Sequence, residues 1–129
     1  MIQYIHSTTL LVADQDAALD FYVGKLGWEK RADSSFSAQE GVESRWIEVG
    51  PSGAETVLAL LRPEDVGASA EAAGSEQGVS LVTDDIEGTY KELAGREVRF
   101  DGEPQEMPWG QKATWFYDPD GNRFFLVEE

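Results

Sequence analysis

Apolar and polar residues follow a pattern along the first half of the chain that predicts one strand, one helix and three more strands. Residues 4–12 (YIHSTTLLV) are rich in β-branched and aromatic side chains, which favours a strand. An apolar stripe at helical spacing then runs from Asp14, a suitable N-cap, to Gly27, a suitable stop signal. The three further strands are predicted at residues 29–36, 45–49 and 56–61, with the turn sequence GPSG between the last two.

The second half repeats this order. A strand is predicted over residues 79–83, and the helix that follows is expected to begin after Asp84 and to end at Gly95. Three more strands are predicted at residues 97–100, 114–117 and 123–127, with the turn sequence DPDG between the last two. The tetrapeptide LVAD at 11–14 also recurs as LVTD at 81–84, which corresponds to an offset of 70 residues.

This repeat predicts an α+β fold that is built from two βαβββ modules within one domain. Trp46 and Trp115 each lead a hairpin strand that ends at a Pro-x-Gly turn, which adds to the correspondence between the halves. The expected boundaries are about 1–63 for the first module, 64–77 for a linker with room for a short helix, and 78–129 for the second module.

Composition and charge limit the kind of partner and the compartment. The chain carries 25 acidic against 10 basic residues, a net charge of −15, so it should repel nucleic acid and anionic lipid, and neither is expected as a partner. The acids are scattered, which fits a solvated acidic surface and leaves a cationic ligand as the alternative. With no cysteine and no signal-peptide pattern, a cytoplasmic location is expected.

Three groups of residues carry a family resemblance. They are Leu10-x-Val12-x-Asp14 leading into Phe21-Tyr22-x3-Leu26-Gly27, then Val82-Thr83-Asp84-Asp85-Ile86, and finally Pro108-Trp109-Gly110 followed by Asp118-Pro119-Asp120-Gly121-Asn122. In order and spacing they resemble the vicinal oxygen chelate superfamily of glyoxalases, extradiol dioxygenases and bleomycin- and fosfomycin-resistance proteins. The resemblance implies two βαβββ modules whose curved mixed sheets enclose a cleft. It also implies a homodimer, as in the drug-sequestering members.

Members of this superfamily that catalyse reactions usually hold a divalent ion in the cleft through His and Glu side chains. The resemblance places the four ligand positions on Ser7, Ala59, Gly78 and Phe125, which offer neither a side-chain nitrogen nor a carboxylate oxygen. The single histidine, His6, is next to a ligand position, but strand alternation predicts that it points away from the cleft. We therefore expect no metal and no cofactor.

Strand alternation and the resemblance together predict which residues line the cleft. The expected ligand-binding residues are Ser7, Thr9, Glu48, Ala59, Gly78, Ser80, Trp109, Trp115, Arg123 and Phe125. Phe125 offers a face for stacking a planar ligand or only fills space, and Trp109 is a lid or a plug against the other module. Arg123 pairs with Asp118 or Asp120 across the turn, or it recognises an anion. Glu48 faces the cleft as an acid–base group or lies on the solvated side of an edge strand.

The predicted function is that of a metal-free small-molecule-binding protein of the glyoxalase/bleomycin-resistance type, which sequesters a cationic or aromatic compound. Two alternatives stay open. One is a metalloenzyme resembling lactoylglutathione lyase or a dioxygenase, with His6 among its ligands. The other is a metal-free isomerase that uses Glu48 or Tyr117. The sequence assigns no catalytic residue and does not identify the ligand.

Overall fold

Two β-sheets, each accompanied by a helix, make up the computed structural model, which describes residues 1–39, 41–74 and 78–129. The chain divides into two units, Met1–Ser75 and Glu76–Glu129. The predicted α+β architecture with mixed sheets is confirmed, because each sheet contains one parallel strand pair among antiparallel ones. In the described part of the chain, no helix has the length and hydropathy of a membrane-spanning segment.

The first unit contains a four-stranded sheet in the order β1-β4-β3-β2. Its strands are β1 (Ser7–Leu11), β2 (Glu29–Gln39), β3 (Val42–Gly50) and β4 (Val57–Leu61). Strand β1 pairs with β4 in parallel, and the other pairs are antiparallel. Strand β1 begins three residues later than the sequence pattern predicts, because residues 4–6 precede the ladder.

Helix α1 (Gln15–Leu19) follows β1 and continues as π-helix over Asp20–Lys25. The predicted N-cap is confirmed, since the carboxylate of Asp14 accepts hydrogen bonds from the amides of Asp16 at 2.9 Å and Ala17 at 3.0 Å. Two short 3₁₀ turns, Pro63–Val66 and Ala70–Ala72, lie within the predicted linker. Residues 75–77 of that linker lie outside the described residues.

The second unit has a five-stranded sheet in the order β5-β9-β8-β6, with β7 also paired to β8. Its elements are β5 (Val79–Thr83), α2 (Ile86–Gly95), β6 (Arg99–Phe100), β7 (Gln105–Glu106), β8 (Lys112–Tyr117) and β9 (Arg123–Glu128). Strand β7 was not predicted, because two residues are too short for a hydrophobic period to be visible.

The start of α2 corrects the sequence analysis. The helix is capped by Asp85, whose carboxylate accepts a hydrogen bond from the amide of Gly88 at 3.0 Å, and not by Asp84. The units therefore correspond at an offset of 71 residues at this point, not 70. Burial also supports the offset of 71. An offset of 70 would match Val12, which is 0% exposed, with Val82, which is 62% exposed.

One face of each sheet carries the large buried side chains of the core, and the opposite face, which we call the open face, holds the predicted site residues together with buried ones such as Ala59. In the second unit, Tyr90 of α2 contacts Phe100, and the rings of Phe100, Phe116 and Phe124 continue the contact across the sheet. In the first unit, the buried residues of the corresponding face are Leu10, Ile47, Val49, Leu58 and Leu60. The predicted cleft residues of the strands alternate with these and lie on the other faces.

Candidate functional site

Three aromatic side chains come together on the second sheet. The strand register pairs Ser80 with Phe125 and Phe125 with Trp115, so these three side chains form one row across β5, β9 and β8. The ring centroids of Trp115 and Phe125 are 4.7 Å apart with an interplanar angle of 52°. Trp109, in the loop before β8, places its ring centroid 6.4 Å from that of Phe125. We call Trp109, Trp115 and Phe125 the aromatic face.

Trp109 stands on a tethered but exposed loop. Its indole N–H donates to Oε1 of Gln111 at 2.9 Å, and the amide nitrogen of Gln111 donates to the carbonyl of Glu128 on β9 at 3.2 Å. The residue is nevertheless 60% exposed. An exposed indole beside a phenyl ring is suited to covering one side of a flat ligand.

Arg123 lies at one end of the aromatic face. Its Cζ is 4.7 Å from the centroid of the Trp115 ring, which is a cation–π geometry. Its Nη2 donates to Oδ2 of Asp101 at 3.1 Å, which corrects the expected pairing with Asp118 or Asp120. Asp118 stabilises the turn instead, because its Oδ1 accepts hydrogen bonds from the backbone amides of Asp120 and Asn122.

Asp101 is the site residue that sequence analysis missed. Its Oδ1 accepts a hydrogen bond from the Tyr117 hydroxyl at 2.7 Å, while Oδ2 holds Arg123. The signal that could have found it is the Asp-Gly dipeptide at 101–102, a turn sequence directly after a predicted strand. Its partners come from across the sheet, so only the register of β6 with β8 reveals the cluster.

A cavity of about 240 Å³ lies beside Trp115. It is lined by Asp101, Gly102, Glu103, Gln105, Met107, Ala113, Thr114, Trp115 and Arg123. The lining combines apolar side chains, among them Met107 and Trp115, with charged ones such as Asp101 and Arg123, a mixture that is usual at small-ligand sites. The arrangement can hold a flat apolar group against the indole of Trp115.

The open face of the first sheet carries a carboxylate instead of aromatic rings in its equivalent row. The register aligns Thr9 with Ala59 and Ala59 with Glu48. The Glu48 side chain is 17% exposed, and its Oε2 accepts a hydrogen bond from the indole N–H of Trp46 at 2.7 Å. Glu48 lies on β3, an inner strand, so the edge-strand interpretation was wrong.

His6 also lies differently from the prediction. Its Nε2 is 4.0 Å from Oε2 of Glu48, so the imidazole turns toward the open face rather than toward the core. The physical reason is that β1 begins at Ser7, and strand alternation does not govern a residue outside the ladder. The side chain is 63% exposed.

The two acid–base candidates, Tyr117 and Glu48, have different surroundings. Hydrogen bonding of the Tyr117 hydroxyl to Asp101 raises the pKa of Tyr117, so the phenol stays protonated beyond its usual range. It therefore cannot act as a base near neutral pH. The carboxylate of Glu48 lies on the open face, and its neighbours are the indole of Trp46 and the imidazole of His6.

A larger cavity of about 450 Å³ in the first unit is lined by polar and charged groups, and both of its arginines, Arg45 and Arg62, are held in ion pairs. Arg45 holds Asp16 at 2.9 Å and Asp33 at 2.8 Å, and the bond from Arg45 lowers the pKa of Asp33. Arg62 holds Asp65 at 2.9 Å. The pairs of Arg45 join α1, β2 and β3, and the hydroxyl of Ser44 donates to Asp65 and so links β3 to the turn after β4. We therefore interpret this cavity as structural.

The residues at the four positions implied for metal ligands do not fit a divalent ion. Ser7 and Ala59 lie on β1 and β4, Gly78 precedes β5, and Phe125 lies within the aromatic face. Their side chains supply a hydroxyl, a methyl, a hydrogen and a phenyl ring, and divalent ions prefer imidazole nitrogen or carboxylate oxygen. Within residues 1–39, 41–74 and 78–129, no three His, Asp or Glu side chains cluster as a metal site.

Comparison with known proteins gives consistent results. A sequence model of the Glyoxalase/Bleomycin resistance protein/Dioxygenase superfamily matches residues 4–126. The uncharacterized protein YetH of Bacillus subtilis (strain 168) is 38% identical, over 99% of this chain and 100% of that protein.

Solved structures are similar over the same extent. A superfamily member from Sphaerobacter thermophilus DSM 20745 is 48% identical with a TM-score of 0.87, covering 99% of this chain and 98% of that one. TnmS3, an antibiotic binding protein from Streptomyces sp. CB03234, is 36% identical with a TM-score of 0.80, covering 98% and 96%.

Proposed function

The chain belongs to the glyoxalase/bleomycin resistance protein/dioxygenase superfamily, and on this basis we propose that it binds a small aromatic compound without a resident metal ion and without turnover. The observation that carries the proposal is the aromatic face, where Trp109, Trp115 and Phe125 meet beside a cavity. Phe125 stands where the family resemblance places a ligand carboxylate, so the second sheet offers π-surface in place of a metal ligand. Stacking on such rings contributes about 1–3 kcal/mol for each planar group.

The most informative structural relative supports this class of ligand. TnmS3 is an antibiotic binding protein, and it is similar to this chain over nearly the whole length of both. We propose by analogy that the ligand here is a drug-like planar molecule. The fold alone does not distinguish binding from catalysis in this superfamily, so the proposal depends on the side chains of the aromatic face.

The enzymatic alternatives have weaker support. A lyase or dioxygenase of this family needs an electrophilic ion, and the residues at the four implied positions supply no suitable donor. An isomerase needs a base, and the raised pKa of Tyr117 removes one of the two candidates. Glu48 remains as the second candidate, and its carboxylate accepts a hydrogen bond from the indole N–H of Trp46.

We also propose that the chain forms a homodimer in the cytoplasm. Four large apolar residues at the beginning of the chain are exposed, namely Met1, Ile2, Tyr4 and Ile5. An exposed apolar segment of this kind often marks a contact with another protein chain. Light scattering behind size-exclusion chromatography measures the mass directly, and a mass near 14.2 kDa at all concentrations would refute the dimer.

The test of binding uses two planar tricyclic dyes of matched size, neutral acridone and 9-aminoacridine, which is cationic at neutral pH. Fluorescence anisotropy during titration with the protein should show saturable binding of at least one dye, unchanged by EDTA. Phe125→Ala should weaken binding about 10-fold, the loss of one stacking partner. Mass spectrometry should recover the dye unaltered.

Val82→Ala is the matched control. Val82 is an exposed apolar residue on the same face of the second sheet, one row away from Phe125, but it offers no ring. Its truncation should leave the affinity within about twofold of wild type. Binding that requires added zinc, nickel, manganese or iron, chemical conversion of the dye, or no saturable binding of either dye would each overturn the proposal.

A further inference from the structure

The guanidinium of Arg123 is fixed in position beside the cavity of the second unit. Its Nη2 donates to Oδ2 of Asp101 at 3.1 Å, and its Cζ lies 4.7 Å from the centroid of the Trp115 ring. Asp101 is itself held by the hydroxyl of Tyr117 at 2.7 Å. Because two partners orient the guanidinium in the free protein, a ligand that uses its remaining N–H groups pays little entropy for ordering them.

Arg123 has hydrogen-bond donors that no acceptor in the described part of the chain uses. A guanidinium has more N–H donors than the single one that Asp101 occupies. The Nε of Arg123 is shielded from solvent and has no acceptor among the described residues. The side chain as a whole is 34% exposed, and it lines the cavity of about 240 Å³ together with Trp115. A ligand in this cavity can therefore offer an acceptor to the guanidinium.

The charges around the cavity favour a neutral acceptor over an anionic one. Asp101 already balances the charge of Arg123, and a second carboxylate, that of Glu103, lines the same cavity. The net charge of −15 adds a further repulsion for anions. A carbonyl oxygen carries no net charge and avoids this repulsion. It still gains a hydrogen bond from a charged donor, which is stronger than a hydrogen bond from a neutral one.

The place of Arg123 on the sheet indicates where this acceptor lies on the ligand. Arg123 and Phe125 alternate along β9 with the buried Phe124, so the guanidinium and the aromatic face lie on the same side of the sheet. A flat ligand against these rings presents an edge to the guanidinium. We propose that Arg123 selects flat aromatic compounds that carry a carbonyl oxygen at the ring edge, that is, aryl ketones. This inference rests on the proposed function, because it specifies the polar group of the compound that the protein binds.

The experiment compares 9-fluorenone with fluorene, two planar tricyclic compounds that differ by a carbonyl in place of a methylene group. Equilibrium dialysis followed by liquid chromatography measures the bound and the free compound. Wild type should bind fluorenone about 10-fold more tightly, which is the effect of one hydrogen bond to a charged donor. Arg123→Met keeps an unbranched side chain beside Trp115 but removes the donors, so this ratio of affinities should fall to about twofold or less.

Arg99→Met is the matched control. Arg99 is an exposed arginine of the same sheet, its Cζ lies 4.1 Å from the centroid of the Tyr117 ring, and it is not among the described residues that line this cavity. Its substitution removes the same charge and the same kind of cation–π contact, so the ratio should stay at the wild-type value.

Two results would overturn the inference and leave the proposed function in place. One is equal binding of fluorenone and fluorene to wild type. The other is a ratio that falls as far in Arg99→Met as in Arg123→Met, which would assign the preference to the overall charge of the unit. If neither compound binds, the inference fails, and the binding of acridone and 9-aminoacridine decides whether the proposed function fails with it.

An anionic probe tests the preference for a neutral acceptor. Fluorene-9-carboxylate should bind wild type more weakly than fluorenone, because Asp101 and Glu103 repel its charge. Tighter binding of the carboxylate would mean that Arg123 recognises an anion, and it would overturn the inference.

Arg123→Lys separates the guanidinium from its charge. Lysine keeps the positive charge but replaces the planar fork of donors by a single ammonium, so the ratio should lie between those of wild type and Arg123→Met. The full wild-type ratio in Arg123→Lys would show that charge alone acts, and it would overturn the assignment to the guanidinium. Thermal melts without ligand show whether each variant folds. If Arg123→Met does not, Arg123→Lys against wild type decides the question.

Discussion

The two open sheet faces have the same backbone arrangement and opposite side-chain chemistry. In the first unit, the row across β1, β4 and β3 is Thr9, Ala59 and Glu48. In the second unit, the equivalent row across β5, β9 and β8 reads Ser80, Phe125 and Trp115. A hydroxyl begins both rows, but a methyl and a carboxylate on one sheet correspond to a phenyl and an indole on the other.

This difference shows how a repeated module presents two kinds of side-chain chemistry on the same backbone arrangement. The parallel pairing of the first and last strands and the antiparallel pairing of the last two fix the same three positions in both units. Substitution within these positions changes the available chemistry from ionic to aromatic and leaves the ladder unchanged. The proposed binding of a flat ligand uses the row of the second unit.

The largest expected effect comes from giving the first row the phenyl ring of the second. Ala59 is 0% exposed, so Ala59→Phe must displace its neighbours, and we expect a loss of about 3 kcal/mol in the free energy of unfolding. Urea denaturation followed by far-UV circular dichroism measures this loss. Ala59→Ser, which adds a single oxygen, is the control for volume. A Phe variant as stable as wild type would show that the two rows are interchangeable.

A smaller effect is expected from removing the indole of the second row. Trp115 contacts Phe125 at 4.7 Å and Arg123 at 4.7 Å, so Trp115→Ala should weaken acridone binding about 10- to 30-fold. Trp115→Phe retains a ring and should recover most of the affinity. Isothermal titration calorimetry of both variants with acridone measures these affinities. Equal affinities for wild type and Trp115→Ala would contradict the proposed role of the aromatic face.

Strand alternation was sufficient to predict which side chains share a face. The patterns around Thr9 and Phe125 gave the correct parity on both sheets, because a half-buried strand has an apolar and a polar side. The capping of α1 by Asp14 was also predictable, since its signal lies within a few residues. Local periodicity therefore sufficed wherever the determining contacts were local.

The remaining features depend on contacts between distant residues. The pairing of Asp101 with Arg123 joins positions 22 residues apart, and the approach of His6 to Glu48 depends on where β1 begins. The sequence pattern also matched Trp46 with Trp115. The register instead makes Glu48 the equivalent of Trp115, because Glu48 pairs with Ala59 as Trp115 pairs with Phe125. A single-sequence pattern does not contain the register of paired strands, so these errors could not be avoided.

The smallest expected effect concerns Asp33 and Asp65, two of the arginine-held carboxylates, which contrast with Glu48 of the same unit, whose contacts are an indole and an imidazole. Hydrogen bonding by Arg45 lowers the pKa of Asp33. Burial raises the pKa of Asp65, but hydrogen bonds from Arg62 and Ser44 outweigh burial and lower it overall. A carboxylate with a lowered pKa stabilises the fold at pH values above its unfolded pKa of about 4, and the contribution is lost as the pH falls through the folded pKa.

The free energy of unfolding should consequently stay level between about pH 7 and 5 and decline below about pH 4. Asp65→Asn should be less stable than wild type at pH 7, by about 1 kcal/mol, because Arg62 and Ser44 lose a charged acceptor and keep a neutral one. The stability of Asp65→Asn should also decline less steeply in acid, because one carboxylate with a lowered pKa is gone. Urea midpoints measured from pH 7 to 3 provide both values. Parallel curves for the two proteins would mean that Asp65 does not contribute to the acid transition, and the contrast with Glu48 would then rest on Asp33 and Arg45 alone.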